Sequence, residues 1–451
     1  MVPPRPPGSL QSPPIACNAA AKNAYRNERG FAMALTRIRT AIAMTRSTAL
    51  AALLALTGSA TGAADPAPAP AISIYLSLPI DVDVRPAEVQ PVRGDDGRTY
   101  IAYTILVTNW ADEPLTFSRI ELVDENDRIV ADYQGEALEN PSRLRSTQWA
   151  EGAPSPANRR LDAGRTAVVQ VGAVFAAPAE TPRQIRHRLT FEPSPRVRLV
   201  SDDGTRTATL TVSSEPLMIS ARPVPVLGAP LRGGPWRCSN GLAFDNAHAA
   251  FYASRTARMR VPQRFGCDLQ KVDAEGNVLP NPFPNVISNS MFYGYGAEVL
   301  AVGDGRIVWV RDGLAENVPQ VDGRIITPVP LTADRVSGNS LALDLGGGRY
   351  AFYAHFQTGS IRVRAGQRVR RGDTLGLLGN SGNSVGPHLH FHLGNSPVLN
   401  GTDGMPYLFD CFDYLGRGRP PAGDAPGRTA MRRRLPLQGA VMQFPVGPRC
   451  R

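Results

Sequence analysis

Three of the chain's six histidines fall at alternate positions in Gly386-Pro387-His388-Leu389-His390-Phe391-His392-Leu393. Imidazole both ligates metals and moves protons near neutral pH, so this spacing invites either chemistry. In a β-strand, alternate side chains share a face: His388, His390 and His392 then point one way, and Leu389, Phe391 and Leu393 fill the core side. Neighbouring rings would sit about 6.7 Å apart along such a strand, and the outer two about 13 Å. With zinc–nitrogen bonds of about 2.0–2.1 Å, two of the three can flank one ion but all three cannot. The third must have another task. Upstream, His355 ends the run YAFYAHF, where alternation places it on one face with Tyr353 and Ala351. His248 stands alone in FDNAHAAF, and His187 lies between Arg186 and Arg188 in a strand-like run, as a surface or paired residue rather than a ligand.

The elements that must hold these residues read as β throughout. TYIAYTILVTNW (99–110), LTFSRIELVDENDRIVADY (115–133, broken by a polar Asp-Glu-Asn-Asp turn), TAVVQVGAVF (166–175), RHRLTFEP (186–193) and TATLTVSSEPLMI (207–219) alternate apolar and polar residues. Short alternating strands with polar turns and no clear helix predict an all-β chain, with an immunoglobulin-like β-sandwich over 72–220. ARPVPVLGAPLRGGPW (221–236) marks a boundary by its proline and glycine content. A second β domain then runs over 221–451. It contains strand–turn–strand patterns in AEVLAVGDGRIVWV and NSLALDLGGGRYAFYAHF, a long loop near 311–338, and an irregular tail from about 418.

The first 64 residues read differently. From Met44, a basic Arg46, an apolar run from Ala49 to Leu56 and the small residues Gly62-Ala63-Ala64 form an export signal, followed by the Pro-Ala linker DPAPAPA at 65–71. Met33 or Met44 is the more natural start. The formal charge of +10 shrinks once residues 1–64 are set aside, to 42 basic against 38 acidic side chains. That balance gives no basic face for nucleic acid, and no apolar run is long enough to span a bilayer. Localisation is therefore expected to be periplasmic or extracellular. Of five cysteines, Cys17 falls in the removed segment, leaving Cys238, Cys267, Cys411 and Cys450 for two disulfides of open connectivity.

GAEVLAVGDGRIV, YAFYAHF and VRAGQRVRRGDTLGLLGNSGNSVGPHLHF together resemble the lysostaphin/LytM-type zinc metallopeptidases, which cut peptide bonds in peptidoglycan. The resemblance runs over 296–392, in the family's order and spacing. It implies a small antiparallel β-sheet domain with a narrow groove over Zn2+. It also implies His390 as a zinc ligand, with His355 and His388 as the catalytic pair beside it. Peptidoglycan stem peptides would be the substrate, or a cell-wall enzyme the partner.

One element departs from the family pattern. The other two ligands come from His-x-x-x-Asp; in PQRFGCDLQ, Asp268 holds the aspartate position and Arg264 the histidine position, and no His-x-x-x-Asp occurs in the chain. A guanidinium has no lone pair to offer a metal. Two readings follow. Either His248 or His392 replaces the missing ligand and the chain is a zinc endopeptidase, or Arg264 pairs with Asp268, a fixed cation stands in for the metal, and a zinc-free module of the same fold binds or regulates cell-wall enzymes. Where the family usually has glutamate, this chain has His392.

Overall fold

The computed structural model describes residues 73–75, 79–146, 159–194, 197–200 and 206–447, apart from 245, 256, 283–284, 322–323 and 421–426. The expected signal segment, the linker, Cys17 and Cys450 lie outside these residues. Residues 70–451 form one compact unit, and it is mostly β.

The N-terminal region holds two principal sheets. One orders Ile80–Arg85, Thr99–Asn109, Thr166–Phe175 and Leu144–Ser146; the other orders Leu210–Ser213, Gln184–Pro193, Leu115–Asp124 and Ile129–Gln134. Alternation does the sorting. Ile101, Tyr103, Ile105 and Val107 leave one face of their strand and bury against Phe117, Ile120, Leu189 and Phe191 of the second sheet. The intervening residues point to the opposite face, where Tyr100 and Ala102 join the core of the C-terminal region and Thr104 lies beside Gln170 of the paired strand. His187 is fully buried, its Nε2 2.8 Å from the Tyr103 hydroxyl and its Nδ1 2.9 Å from Ser214 Oγ. It is a paired strand residue, and burial pushes its pKa down to about 4.

The C-terminal region is built on a mixed sheet. Four neighbouring strands at its centre, Gly233–Ser239, Cys267–Lys271, Leu389–Gly394 and Tyr350–Phe356, are antiparallel. Tyr353, Phe391 and Tyr407 pack beneath them in edge-to-face contacts. Several expectations change here. Glu298–Leu300 and Gly305–Arg311 do not pair with each other; the first joins Thr374–Leu377 and the second Asn339–Asp344. The 311–338 loop contains Val318–Val321 and Arg324–Ile326, which form a small sheet with Val286–Ile287. The tail is not irregular throughout, since Ala440–Phe444 sits between Gly233–Ser239 and Leu408–Arg417. These pairings join segments far apart in sequence, so local alternation does not foretell them.

Cys238 and Cys267 form a disulfide between adjacent strands. Cys411 is also disulfide-bonded.

Candidate functional site

Five of the six histidines gather at the central strands, three of them, His355, His390 and His392, from the strands themselves. Asp268 stands directly opposite His390 in the antiparallel register, so their side chains share a face. His390 Nδ1 lies 2.8 Å from Asp268 Oδ1, and His388 Nε2 lies 3.6 Å from the same oxygen. The other carboxylate oxygen accepts from Asn240 Nδ2 at 2.8 Å and lies 3.3 Å from His248 Nε2. Asn240 follows the Gly233–Ser239 strand with φ +51°, a left-handed conformation that asparagine tolerates better than most residues.

His248 was one of two candidate replacement ligands, and the structure places it against Asp268. One donor atom each from His248, Asp268 and His390 lies within 4.8 Å of the others, a possible metal site. His392, the second candidate, is outside that group. Its ring stacks on Phe352 at 4.6 Å and its Nδ1 lies 2.9 Å from His390 Nε2. It therefore orients the His390 ring from behind.

Arg264, which the zinc-free reading sets against Asp268, makes its hydrogen bonds elsewhere. Nη1 donates to Gln170 Oε1 at 2.8 Å, and Nη2 donates to Thr104 Oγ1 at 2.6 Å and to the Arg85 carbonyl at 3.5 Å. These partners all belong to the N-terminal sheets. The guanidinium is buried, which pulls its pKa down to about 10 and leaves it charged at neutral pH.

His355 was expected to share a face with Tyr353 and Ala351. Instead its ring reaches the site, 4.6 Å from the His388 ring and 6.0 Å from that of His390. The cause is a local irregularity. Leu341 pairs with Tyr353, but Asn339 pairs with Phe356, so one extra residue enters the Tyr350–Phe356 strand, and His355 takes φ +68°. A bulge of this kind re-aims a side chain across the sheet.

One loop fixes both catalytic candidates. His355 Nδ1 lies 2.6 Å from the Ser381 carbonyl, and His388 Nδ1 lies 2.9 Å from the Gly386 carbonyl. A carbonyl oxygen only accepts, so each Nδ1 carries a proton and donates it there. The 381–386 loop is itself pinned by Asn317, whose Nδ2 donates to the Gly382 and Ser384 carbonyls at 2.7 and 2.8 Å.

Electrostatics sorts the protonation states. Burial alone would raise the Asp268 pKa, but the charges of His248 and His388 and hydrogen bonds from His248 and His390 outweigh it and hold the carboxyl well below its usual range. Burial lowers His248, and Asp268 more than offsets it, so His248 ends raised. Burial, with His388 and His390 beside it, pushes His355 well down, and burial likewise lowers His390 and His392. Asp268 is thereby ionised and the lowered His355, His390 and His392 favour the neutral imidazole, whereas Asp268 favours the proton on His248, which a metal bound there would displace.

Residues 290–401 match the model of peptidase family M23. The match takes in His355, His388, His390 and His392; His248 and Asp268 lie upstream of it. The peptidoglycan DD-endopeptidase ShyA of Vibrio cholerae serotype O1 is 37% identical over 76 residues, 15% of this chain and 17% of its own length. The glycyl-glycine endopeptidase ALE-1 of Staphylococcus capitis is 29% identical over 139 residues, 28% of this chain and 32% of that protein. The chain thus spans less than a third of the length of either relative. A solved zinc-containing peptidase from Vibrio cholerae is 15% identical, with a TM-score of 0.22 over 70% of this chain and 86% of that one.

His248 could not be picked out by motif. It lies twenty residues before Asp268 in a segment with no strand pattern, and its only signal was being a histidine in a chain with few of them. Asn240 carried no signal at all.

Proposed function

We propose that this chain is an exported zinc-dependent endopeptidase acting on peptidoglycan stem peptides or another extracytoplasmic peptide. The observation that carries the reading is the convergence of His248, Asp268 and His390 beside the paired rings of His355 and His388. The donor set fits zinc: two imidazoles and one carboxylate are a set that catalytic zinc takes while keeping a position open. Zinc held by these three residues would supply a Lewis acid that polarises the scissile carbonyl. Around it, Asn240 holds the second oxygen of Asp268, and His392 sets the plane of His390.

The proton work falls to His355 and His388. Each has Nδ1 committed to a backbone carbonyl, which leaves Nε2 as the nitrogen that exchanges protons; that of His388 lies 3.6 Å from Asp268 Oδ1. One ring takes a proton from the attacking water at Nε2 as the water oxygen bonds to the carbonyl carbon, and that proton is then given to the amine nitrogen as the C–N bond breaks.

The zinc-free reading depended on Arg264 pairing with Asp268, and Arg264 bonds instead to Gln170 and Thr104. We read the N-terminal sheets as an immunoglobulin-like sandwich, on the strength of two sheets sharing one core. Export rests on the Met44–Ala64 segment; a mature chain beginning near Asp65 supports it, and a full-length cytoplasmic product refutes it. The deciding experiment is zinc stoichiometry of the protein purified without chelator, beside His248→Ala and His390→Ala, followed by hydrolysis of purified muropeptides. One zinc in the parent, little in either variant and zinc-dependent cleavage are expected. An equally loaded His248→Ala, or a zinc-free parent, sinks the proposal.

A further inference from the structure

The segment that delivers His248 has little regular structure of its own. Between the strands Gly233–Ser239 and Cys267–Lys271, the described backbone makes only isolated bridges, such as Ala253 with Arg260 and Leu242 with Leu437. Around His248 it is a single turn, held by Asn246 Nδ2 to the Gly241 carbonyl at 2.5 Å and Ala249 N to Asn246 Oδ1 at 3.0 Å. No ladder sets where the imidazole goes.

Contacts with the N-terminal sheets flank it on both sides. Four residues before His248, the Phe244 ring packs on Gly172 of the Thr166–Phe175 strand. A Cβ at Gly172 would sit 2.2 Å from the Phe244 ring and 2.2 Å from the Ile101 carbonyl oxygen, so no larger residue fits without movement. Arg143 stands over the same ring at 5.9 Å. Four residues after His248, the Tyr252 hydroxyl accepts from Gln170 Nε2 at 3.3 Å, and Arg145 lies over its ring at 5.5 Å. At the far end of the segment, Arg264 closes on Gln170 and Thr104. Gln170 is the hub: its amide engages Thr104, Tyr252 and Arg264 together. It is buried on the outer face of the sheet, opposite Thr104 in register.

We infer that the outer face of the N-terminal sheet is a positioning surface for the metal site, with Gln170 as its key residue: it clamps the 241–264 segment so that His248 reaches Asp268. Arg264 then has a role of its own. It occupies the sequence position of a ligand and instead locks the substitute ligand's segment in place.

The inference rests on the metal reading for its consequence but not for its geometry, so two readouts separate them. The first is hydrogen exchange of the metal-free full chain across 244–252. The second is zinc affinity by competition with a chromophoric chelator. Gln170→Met, which keeps the bulk and removes the amide, should speed exchange in 244–252 while leaving Leu389–Gly394 unchanged, and weaken zinc binding at least about tenfold, the scale seen for residues that orient ligands. Gln170→Glu keeps the acceptor for Arg264 and Thr104 and can take a reversed hydrogen bond from the Tyr252 hydroxyl, so it should leave both close to the parent. Tyr252→Phe, which removes only the hydroxyl, should show the same direction. Leu189→Ala, in the N-terminal core away from this face, should lower stability without changing zinc affinity. Unchanged exchange in Gln170→Met and Tyr252→Phe overturns the inference whatever zinc does. Faster exchange with unchanged zinc affinity overturns the positioning role and leaves the metal reading standing. A parent that binds no zinc but shows the exchange change refutes the metal reading, and with it the purpose of the clamp.

Discussion

His187 offers a quantitative test of how the N-terminal sheets are held. It is fully buried between Tyr103 and Ser214, and its pKa falls from 6.5 to about 4 because burial disfavours the imidazolium. In the unfolded chain it titrates near its ordinary value. The native state therefore binds its proton only at lower pH than the unfolded state does. The stability this provides is complete above about pH 6.5, and it is lost as pH falls toward 4. With about 1.4 kcal/mol per pKa unit, the loss between pH 7.5 and 4.5 is about 2.5 kcal/mol. The perturbation is His187→Gln, which removes the titrating group and keeps a polar side chain of similar reach. The assay is urea unfolding of parent and variant at both pH values, comparing the change with pH within each protein. Any constant cost of the substitution then cancels. The parent should lose about 2.5 kcal/mol more than the variant on acidification. If the two profiles run parallel, His187 is not a buried neutral imidazole, and the argument from its surroundings is wrong.

Further expectations concern the site. His355→Asn, chosen because asparagine tolerates the left-handed backbone that His355 adopts, should keep zinc and lower kcat by about 10²–10⁴; unchanged turnover would remove His355 from the proton path. Asn240→Leu should weaken zinc binding by about 10–100-fold in a chelator competition, since Asp268 loses the donor that fixes its second oxygen. Arg264→His should not raise zinc affinity, because position 264 directs its side chain to Gln170 and Thr104; tighter binding would show that the segment can turn inward.

Much of the site was legible without coordinates. The HxH spacing and the YAFYAHF run point to His355, His388 and His390 as candidates, and the family resemblance puts Asp268 in the aspartate position of PQRFGCDLQ. His355 nevertheless reaches its neighbours by a route that alternation misassigns, because an extra residue in the strand reverses the face. The strands of the N-terminal sheets were legible for a related reason: each buries one face, so a two-residue period is written into its composition. Which strands pair was not, since Ala440–Phe444 and Gly233–Ser239 meet across two hundred residues that carry no mark of the partnership.

The sequence by itself determined a mostly β chain, a constellation of histidines at strand spacing and the lack of any His-x-x-x-Asp run, because each is a property of residue type and local period. Tertiary structure decided what fills the gap. His248 lies in a segment without a ladder, so its place depends on the surface against which Phe244, Tyr252 and Arg264 settle. That surface belongs to a strand some eighty residues earlier in the chain. Arg264, read alone, suggested a cation in the metal's position. Buried between Gln170 and Thr104, it is tied to the sheet instead, and the imidazole beside Asp268 is that of His248.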